Sequence, residues 1–205
     1  MDKQMWLMDS TDSVVDCYAA FRGSFNLDSE VKLEIRLLGV SWFNVWLDGK
    51  YLADGPARFP LNFPQYQPVF INLSPGRHVI AAQVHSIGES TRLLENIPPF
   101  FTCSVFKGDE EISVDWKCCR LDGYQSQVRR INPELGWVEW CDTSLIPENW
   151  QLPDFDDTKW SAPADVTVIT STPVPETIAR INNIHRHFDA ITHGLLSEVY
   201  GYEMD

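Results

Sequence analysis

The chain has 205 residues, enough for one domain of about 150 to 170 residues with a buried core, plus an extension. Hydrophobic residues make up 44% of it, which is typical of a globular protein and not of a disordered one. The formal net charge of −13 repels a phosphate backbone, and no basic run compensates for it locally. Nucleic acid is therefore not expected as a partner.

No membrane span, secretion signal or cofactor motif is recognisable. No apolar run approaches the length of about 20 residues that crosses a bilayer, and the start MDKQMWLMDS lacks the basic and apolar regions of a signal peptide. The five cysteines have no metal-ligand spacing, and their odd number does not suit a full disulfide framework. We expect a cytoplasmic protein without a cofactor, or a periplasmic or secreted one if a leader has been removed.

The first half of the chain predicts several strands. The sequence VKLEIRL at residues 31–37 alternates apolar with charged residues, the period of a strand with one buried face. Residues 41–53 predict a hairpin, because the central Asp-Gly pair favours a tight turn in which both residues have positive φ. Two more strands are expected at residues 69–73 and 78–87, joined by a Pro-Gly turn.

Further strand candidates lie at residues 100–106, 111–116 and 166–170. Glycine and proline interrupt the chain at the spacing of short antiparallel strands, and no long helical period occurs before residue 170. We therefore predict an all-β fold over residues 1–170, an antiparallel β-sandwich of the jelly-roll, galactose-binding-like kind.

Residues 171–205 have a different character. After the linker-like STPVPE, apolar residues recur every three or four positions from Ile178 to Val199, which predicts a C-terminal amphipathic helix. Its apolar stripe needs a surface, supplied by the sandwich, by another copy of the chain, or by a following domain. The end at GYEMD, soon after the stripe, favours a chain cut from a longer polypeptide. Whether copies associate as a homo-oligomer stays open.

The same segment contains histidines that we considered as metal ligands. His185 and Asp189 have the i, i+4 spacing that places two ligands on one helix face. His187 falls well around the helix from that pair, and His193 lies a further turn along. Because zinc needs three or four ligands, a solvated helix face is the favoured interpretation and no metal site is expected.

No catalytic motif is present. The chain has no G-x-S-x-G elbow, no phosphate-binding G-x-x-x-x-G-K-[ST] and no H-E-x-x-H. A glycosidase needs only two carboxylates at a defined separation, and 29 acidic residues allow no pair to be chosen by spacing. The acidic stretch DFDDTKW at 154–160 is therefore compatible with an acid pair or with a simple turn.

Together with its neighbours, that stretch resembles a known family. Residues 136–166, GWVEWCDTSLIPENWQLPDFDDTKWSAPADV, resemble the N-terminal β-sandwich region of bacterial α-L-rhamnosidases of glycoside hydrolase family 78. In that family a Gly…Glu…Asp segment is followed by a Trp and then by Phe-Asp-Asp-Ser/Thr-x-Trp. The matching positions are Glu139, Asp142, Trp150, Phe155, Asp156, Asp157, Thr158, Trp160 and Ala162. The Asp-Asp part of this motif also resembles a segment in the sugar-binding-like β-sandwich domains of β-galactosidases and β-glucuronidases.

Two further patches agree in order with the same family. FNVWLDGKYLADGPAR at 43–58 resembles its Leu-Asn-Gly-Lys hairpin, with Asp48 in place of the common Asn, and NLSPGRHVIAAQV resembles the following turn and strand. Departures are Cys141, where the family often has Tyr, and Ser144, where it often has Arg. The resemblance covers about residues 20–170, and the departures concern the subgroup and substrate more than the fold.

The resemblance implies that no catalytic residue lies in this chain. In that family, hydrolysis is carried by glutamates in an (α/α)6 helical barrel that follows the sandwich domains. The first hypothesis is therefore a non-catalytic N-terminal accessory domain of a rhamnosidase-like hydrolase. The stretch DFDDTKW then becomes scaffold, with Asp156 and Thr158 forming a turn that Phe155 and Trp160 anchor in the core.

Two other hypotheses remain. A self-contained hydrolase with an unrecognised acid pair is the weakest, and a free-standing carbohydrate-binding module is the main alternative. The spacing of Trp42 and Trp46 on one strand face favours the core, whereas Trp137 and Trp140 approach the motif from a Gly-containing stretch and suit exposure. The candidate carbohydrate-binding residues are Trp137, Trp140, Glu139, Asp54 and Arg58.

Overall fold

The computed structural model describes residues 3–7, 15–92, 95–130, 132 and 134–177. Within these ranges the only helical element is one 3-10 turn, Thr143–Leu145. The predicted C-terminal helix and its histidines lie outside the described residues. The domain boundary at residue 170 stays a prediction.

The described chain is all β, as predicted, and its strands form two sheets. The strands are β1 (Gln4–Trp6), β2 (Cys17–Leu27), β3 (Val31–Val40), β4 (Trp42–Leu47), β5 (Lys50–Gly55), β6 (Gln65–Leu73), β7 (Gly76–Ser86), β8 (Phe100–Lys107), β9 (Glu110–Ile112), β10 (Asp115–Arg120), β11 (Ala164–Val166) and β12 (Val174–Pro175). The seven-stranded sheet has the order β11-β1-β8-β3-β6-β12 with β9 beside β8, and the five-stranded sheet has the order β10-β2-β7-β4-β5. All pairs are antiparallel except β12 with β6.

The main core lies between the two sheets. Its buried members include Phe21 of β2, Ile35 of β3, Val45 of β4 and Phe101 of β8. Burying each such side chain contributes about 1.5 to 3 kcal/mol, so this layer supplies most of the driving force for folding. Two smaller apolar clusters lie on the outer faces, one around Trp150 and one around Phe100.

The predicted hairpin is present, and its turn has a second role. Asp48 and Gly49 have φ of 49° and 77°, the positive values that the two-residue turn requires. The Asp48 carboxylate also lies 2.7 Å from Nδ1 of His78 and accepts a 2.9 Å hydrogen bond from the backbone of Val79. The turn of the β4–β5 hairpin is thereby tied to the start of β7.

Strand β2 is a long inner strand that the sequence pattern did not predict. It reads CYAAFRGSFNL, and its first seven residues are all buried. Phe21 belongs to the core between the sheets, whereas Ala20 and Tyr18 belong to the cluster on the outer face. Because both faces are covered, no alternation of apolar with polar residues is needed, and the signal of a half-buried strand is absent.

A segment that we name the strap, residues 150–157, covers part of the outer face of the five-stranded sheet. Its anchor is Arg22, whose side chain projects from β2 and is 1% exposed. The Arg22 guanidinium donates to the carbonyl oxygens of Trp150 and Leu152 and, through Nε, to the Asp157 carboxylate at 3.0 Å. The ring of Phe155 lies 5.2 Å from Cζ of Arg22. One buried cation thus holds the whole strap.

Asp157 completes this anchor from the strap. Its second carboxylate oxygen accepts a 2.9 Å hydrogen bond from Nζ of Lys117 on β10. Burial by itself raises the pKa of the Asp157 carboxyl, but the hydrogen bonds from Lys117 and Arg22 outweigh that effect and hold the pKa below its usual 3.8. The carboxylate is therefore charged at neutral pH, which is the state that compensates the buried guanidinium.

The rest of DFDDTKW forms the turn that the sequence predicted. Oδ1 of Asp156 accepts a 3.0 Å hydrogen bond from the backbone of Thr158. Phe155 and Trp160 pack in the cluster on the outer face, with Trp160 6.0 Å from the ring of buried Trp150. The aromatic residues anchor the turn, and Asp156 shapes it.

Replacing Asp157 by Asn should lower the free energy of unfolding by about 3 kcal/mol at neutral pH, since it leaves the buried Arg22 without a compensating charge. The matched control is Asp156→Asn, an exposed neighbour whose amide can keep the turn, and its effect on the free energy of unfolding should be much smaller. Urea denaturation measures both values.

The stabilisation that the Asp157 carboxylate provides should also depend on pH. Because the folded pKa is lowered, this stabilisation is present above the unfolded pKa of 3.8 and is lost as the pH falls through the folded pKa. The difference between wild type and Asp157→Asn should therefore shrink in acid. Equal destabilisation by Asp157→Asn and Asp156→Asn at neutral pH would contradict the anchoring role of Asp157.

Candidate functional site

On the outer face of the five-stranded sheet, three rows of side chains run across β2, β7 and β4. Register places Arg22, Ala81 and Trp46 in one row, which the strap covers. Ala20, Gln83 and Asn44 form the middle row, and Tyr18, His85 and Trp42 form the row at the other end. The last row holds three rings side by side on β2, β7 and β4.

That aromatic row forms the floor of a cavity of about 310 Å³. The opposite wall comes from the loop between β10 and the 3-10 turn and includes Trp137 and Glu139. We name this cavity the groove. Its lining residues are Tyr18, Trp42, His85, Ile87, Thr91, Glu134, Leu135, Gly136, Trp137 and Glu139.

Tyr18 joins the floor of the groove to its wall. Its ring is stacked between His85, at a centroid distance of 4.0 Å, and Tyr124, at 3.8 Å. Its hydroxyl donates a 3.2 Å hydrogen bond to Oε2 of Glu139. Burial raises the pKa of Tyr18, and the negative charge of Glu139 raises it further, so the hydroxyl stays protonated and holds the carboxylate in place.

The wall of the groove is fixed to the sheet by further hydrogen bonds. Asp16, which is 4% exposed, lies 2.9 Å from Nε2 of His85 and accepts from the backbone of Gln127. Gln83 donates from Nε2 to the hydroxyl of Tyr124 at 3.0 Å. The groove is therefore preformed, a property that lowers the entropic cost of binding a ligand.

Two indole rings border the groove and differ in exposure. Trp137 is half-buried, and its Nε1 donates to the carbonyl oxygen of Ile87 at 3.1 Å, which fixes the orientation of the ring. The Arg130 guanidinium carbon lies 5.7 Å from the centre of that ring. Trp42 is 42% exposed. Flat rings beside a carboxylate suit a ligand with an apolar face and hydroxyl donors, which is the chemistry of a sugar ring.

The structure brings together only part of the predicted set. Trp137 and Glu139 line the groove, and Trp140, with 62% exposure, follows them outside the lining. Arg58 lines a separate cavity of about 270 Å³ beside Pro56 and Glu95. Asp54 is exposed on β5, opposite Asn44. The carbohydrate-binding role of all five residues stays a prediction.

The expected core position of Trp42 is wrong. Strand β4 turns Phe43, Val45 and Leu47 towards the core, so Trp42 and Trp46 share the outer face. Trp46 is covered there by Trp150, at a ring distance of 5.7 Å, whereas Trp42 lies beyond the strap. The alternation of Phe43 with Val45 was the sequence signal for this assignment.

Two other groove residues were also missed. Tyr18 lies on β2, the strand without a periodic signal, and His85 gains its role only from pairing with β2 and β4.

In the described part of the chain, no three potential ligands approach closely enough to hold a metal ion. No helix among the described residues is long and apolar enough to cross a membrane.

Comparison with known proteins places the fold. No protein-family model and no curated protein matches the chain. Among solved structures, a family 78 rhamnosidase of Bacillus sp. GL1 matches with a TM-score of 0.77 and 24% identity, over 84% of this chain and 19% of that one. An α-L-rhamnosidase from Dictyoglumus thermophilum matches with a TM-score of 0.63 and 15% identity, over 86% of this chain and 22% of that one.

A third solved structure belongs to a different class of protein. The lectin from Pleurotus ostreatus, in complex with GalNAc, matches with a TM-score of 0.54 and 18% identity, over 85% of this chain and 46% of the lectin. At these identities the likeness concerns the fold. The chain thus has a β-sandwich fold found in rhamnosidases and in a lectin, and it spans about a fifth of the two rhamnosidases. The predicted resemblance to rhamnosidases is confirmed at that level.

Exposure of Trp42 predicts that its removal leaves the fold intact. Trp42→Ala should change the free energy of unfolding by no more than about 0.5 kcal/mol. The matched variant Trp150→Ala removes a 2% exposed ring under the strap and should cost about 3 to 5 kcal/mol. Denaturant unfolding compares the two, and a cost for Trp42→Ala close to that for Trp150→Ala would contradict the assignment of Trp42 to the groove.

Proposed function

We propose that this chain is a non-catalytic, N-terminal accessory domain of an α-L-rhamnosidase-like glycoside hydrolase. The supporting observation is that 84% of the chain matches a stretch amounting to 19% of a family 78 rhamnosidase, at a TM-score of 0.77. The complete polypeptide would release terminal rhamnose from glycans or glycosides. Its catalytic (α/α)6 barrel would follow the sandwich and be the main intramolecular partner of this domain.

Two measurements test the accessory role. The coding sequence beyond the codon for Asp205 should continue in frame through several hundred residues with helical periodicity. The isolated chain should not hydrolyse an aryl rhamnoside. Hydrolysis that is lost on replacing one carboxylate of this chain would overturn the proposal in favour of the self-contained hydrolase. A stop codon directly after Asp205 would overturn it in favour of a free-standing domain.

The groove supports a second candidate, a carbohydrate-binding module of the β-sandwich type. Trp42 and Trp137 offer two ring faces, and the Glu139 carboxylate, held by Tyr18, offers an acceptor for sugar hydroxyl groups. Carboxylates and the net charge of −13 favour a neutral sugar over an anionic one. This role is compatible with the accessory role, because the groove could hold a glycan near the barrel.

Calorimetric titration with a rhamnose-containing oligosaccharide tests the groove. Trp42→Ala should weaken binding about tenfold, because it removes one stacking surface. The matched control is Phe63→Ala, which removes an aromatic ring that is 53% exposed and lies outside the groove lining. Equal affinity of the two variants, or no binding by the wild-type chain, would reject the groove as the sugar site.

We infer a protein of the cytoplasm, or of the periplasm or exterior if a leader has been removed. Neither nucleic acid nor membrane is proposed as a partner, and the association of several copies stays open.

A further inference from the structure

The groove is lined by two carboxylates that no cation neutralises within the described part of the chain. Glu134 and Glu139 are both exposed and both belong to the lining. Among the described residues, Glu139 accepts a side-chain hydrogen bond only from the neutral hydroxyl of Tyr18, and the Glu134 carboxylate accepts none. The lining described for the groove contains no lysine or arginine. The groove therefore presents a negative potential to a ligand.

One of these carboxylates is held in a fixed orientation. The ring of Tyr18 is 7% exposed and is stacked between His85 and Tyr124, so its hydroxyl has little freedom to move. That hydroxyl lies 3.2 Å from Oε2 of Glu139 and occupies one acceptor position of the carboxylate. An ionised carboxylate has about four such positions, so the others can accept from a ligand. Hydrogen bonds from a charged donor to a carboxylate are the strong ones.

A cation already lies over one of the two indole rings that line the groove. The Arg130 guanidinium carbon is 5.7 Å from the centre of the Trp137 ring. Nε of Arg130 donates to the carbonyl oxygen of Leu135 at 2.9 Å, which fixes the guanidinium at the border of the groove. Trp137 is thus provided with a cation by the chain itself, and the second indole, Trp42, has to be considered separately.

Trp42 offers an accessible ring face. It is 42% exposed and lines the groove, and within the described part of the chain its ring stacks on no other ring and faces no cation. A cation above an indole ring is attracted by the negative face of the ring, and tryptophan is the best of the aromatic side chains for this interaction. The same face also packs against the apolar face of a sugar ring.

The lining distinguishes between kinds of cation. The two carboxylates need N–H or O–H donors, which a primary ammonium group supplies and a quaternary ammonium group lacks. A divalent metal ion is not matched, because no three potential ligands approach closely enough in the described part of the chain. A sugar ring with one primary ammonium group combines the donors, the charge and the apolar face that this lining fits.

We propose that the groove prefers a sugar unit that carries a protonated primary amino group, and that Glu139 is the residue that recognises the charge. Glu134 adds negative potential from the same lining, and Trp42 stacks against the sugar ring. This inference rests on the proposed sugar-binding role of the groove and is independent of the accessory role. Acetylation of the amino group should remove the preference, because the amide is neutral and has a single N–H.

The test is an NMR titration of the full chain with three methyl glycosides, those of glucosamine, N-acetylglucosamine and glucose. They differ only at the second carbon, and a single charge at most limits non-specific attraction to an acidic protein. Saturable shifts are expected at the backbone amides of Gly136, Trp137 and Glu139 and at the indole N–H of Trp42. The glucosamine derivative should bind at least about tenfold more tightly than the other two.

A pair of charge-neutralising variants locates the source of the preference. Glu139→Gln keeps the size of the side chain and an acceptor for the Tyr18 hydroxyl, so it should lower the affinity for the amino sugar to that for the N-acetyl sugar. The matched control is Glu110→Gln, an exposed residue of β9 that lies outside the groove lining. It changes the net charge equally and should keep the full preference.

The outcomes separate failure of this inference from failure of the sugar-binding groove. Equal affinity for the three glycosides would overturn the inference and leave the groove as a sugar site. No saturable shift at the groove with any glycoside would overturn both. A preference that persists in Glu139→Gln, or that disappears in Glu110→Gln, would contradict the role of Glu139. Binding of methylammonium chloride alone as tightly as the amino sugar would also overturn the proposal, because the sugar ring would then contribute nothing.

Discussion

The buried guanidinium of Arg22 is the constraint on which the arrangement of the five-stranded sheet depends. A cation on the inner strand β2 with 1% exposure requires acceptors, and the strap supplies two backbone carbonyl oxygens and the Asp157 carboxylate. No other segment of the described chain provides a carboxylate that accepts a hydrogen bond from it. The strap therefore has one place to lie, and Trp150, Phe155 and Trp160 form an outer core around that ionic centre.

Where the strap lies also determines where the groove can form. The strap covers the row of Arg22, Ala81 and Trp46, and leaves the row of Tyr18, His85 and Trp42 to the loop that carries Trp137 and Glu139. The stacked rings and the hydrogen bond from Tyr18 to Glu139 then join that loop to the sheet. The outer face of the five-stranded sheet is thus divided into a part that the strap covers and a part that forms the floor of the groove.

Sequence reasoning predicted the elements with local signals and missed those that depend on distant partners. The alternation in β3 and the Asp-Gly turn of the β4–β5 hairpin are local, and both were predicted. Strand β2 has no alternation because the strap and the core cover its two faces. Trp137 and Glu139 were selected for the site, but Tyr18, His85 and the exposed Trp42 join it only through strand register. The Arg22–Asp157 pair spans 135 positions and gives no signal in either local sequence.

Hydrogen exchange of the Arg22→Met variant tests this account most directly, because methionine keeps an unbranched apolar stem and removes the charge. The account predicts faster exchange at the strap, residues 150–157, and at the loop of the groove, residues 136–139, while β3 and β8 in the other sheet keep their protection. Unchanged exchange in the strap would contradict the claim that the buried guanidinium holds it in place.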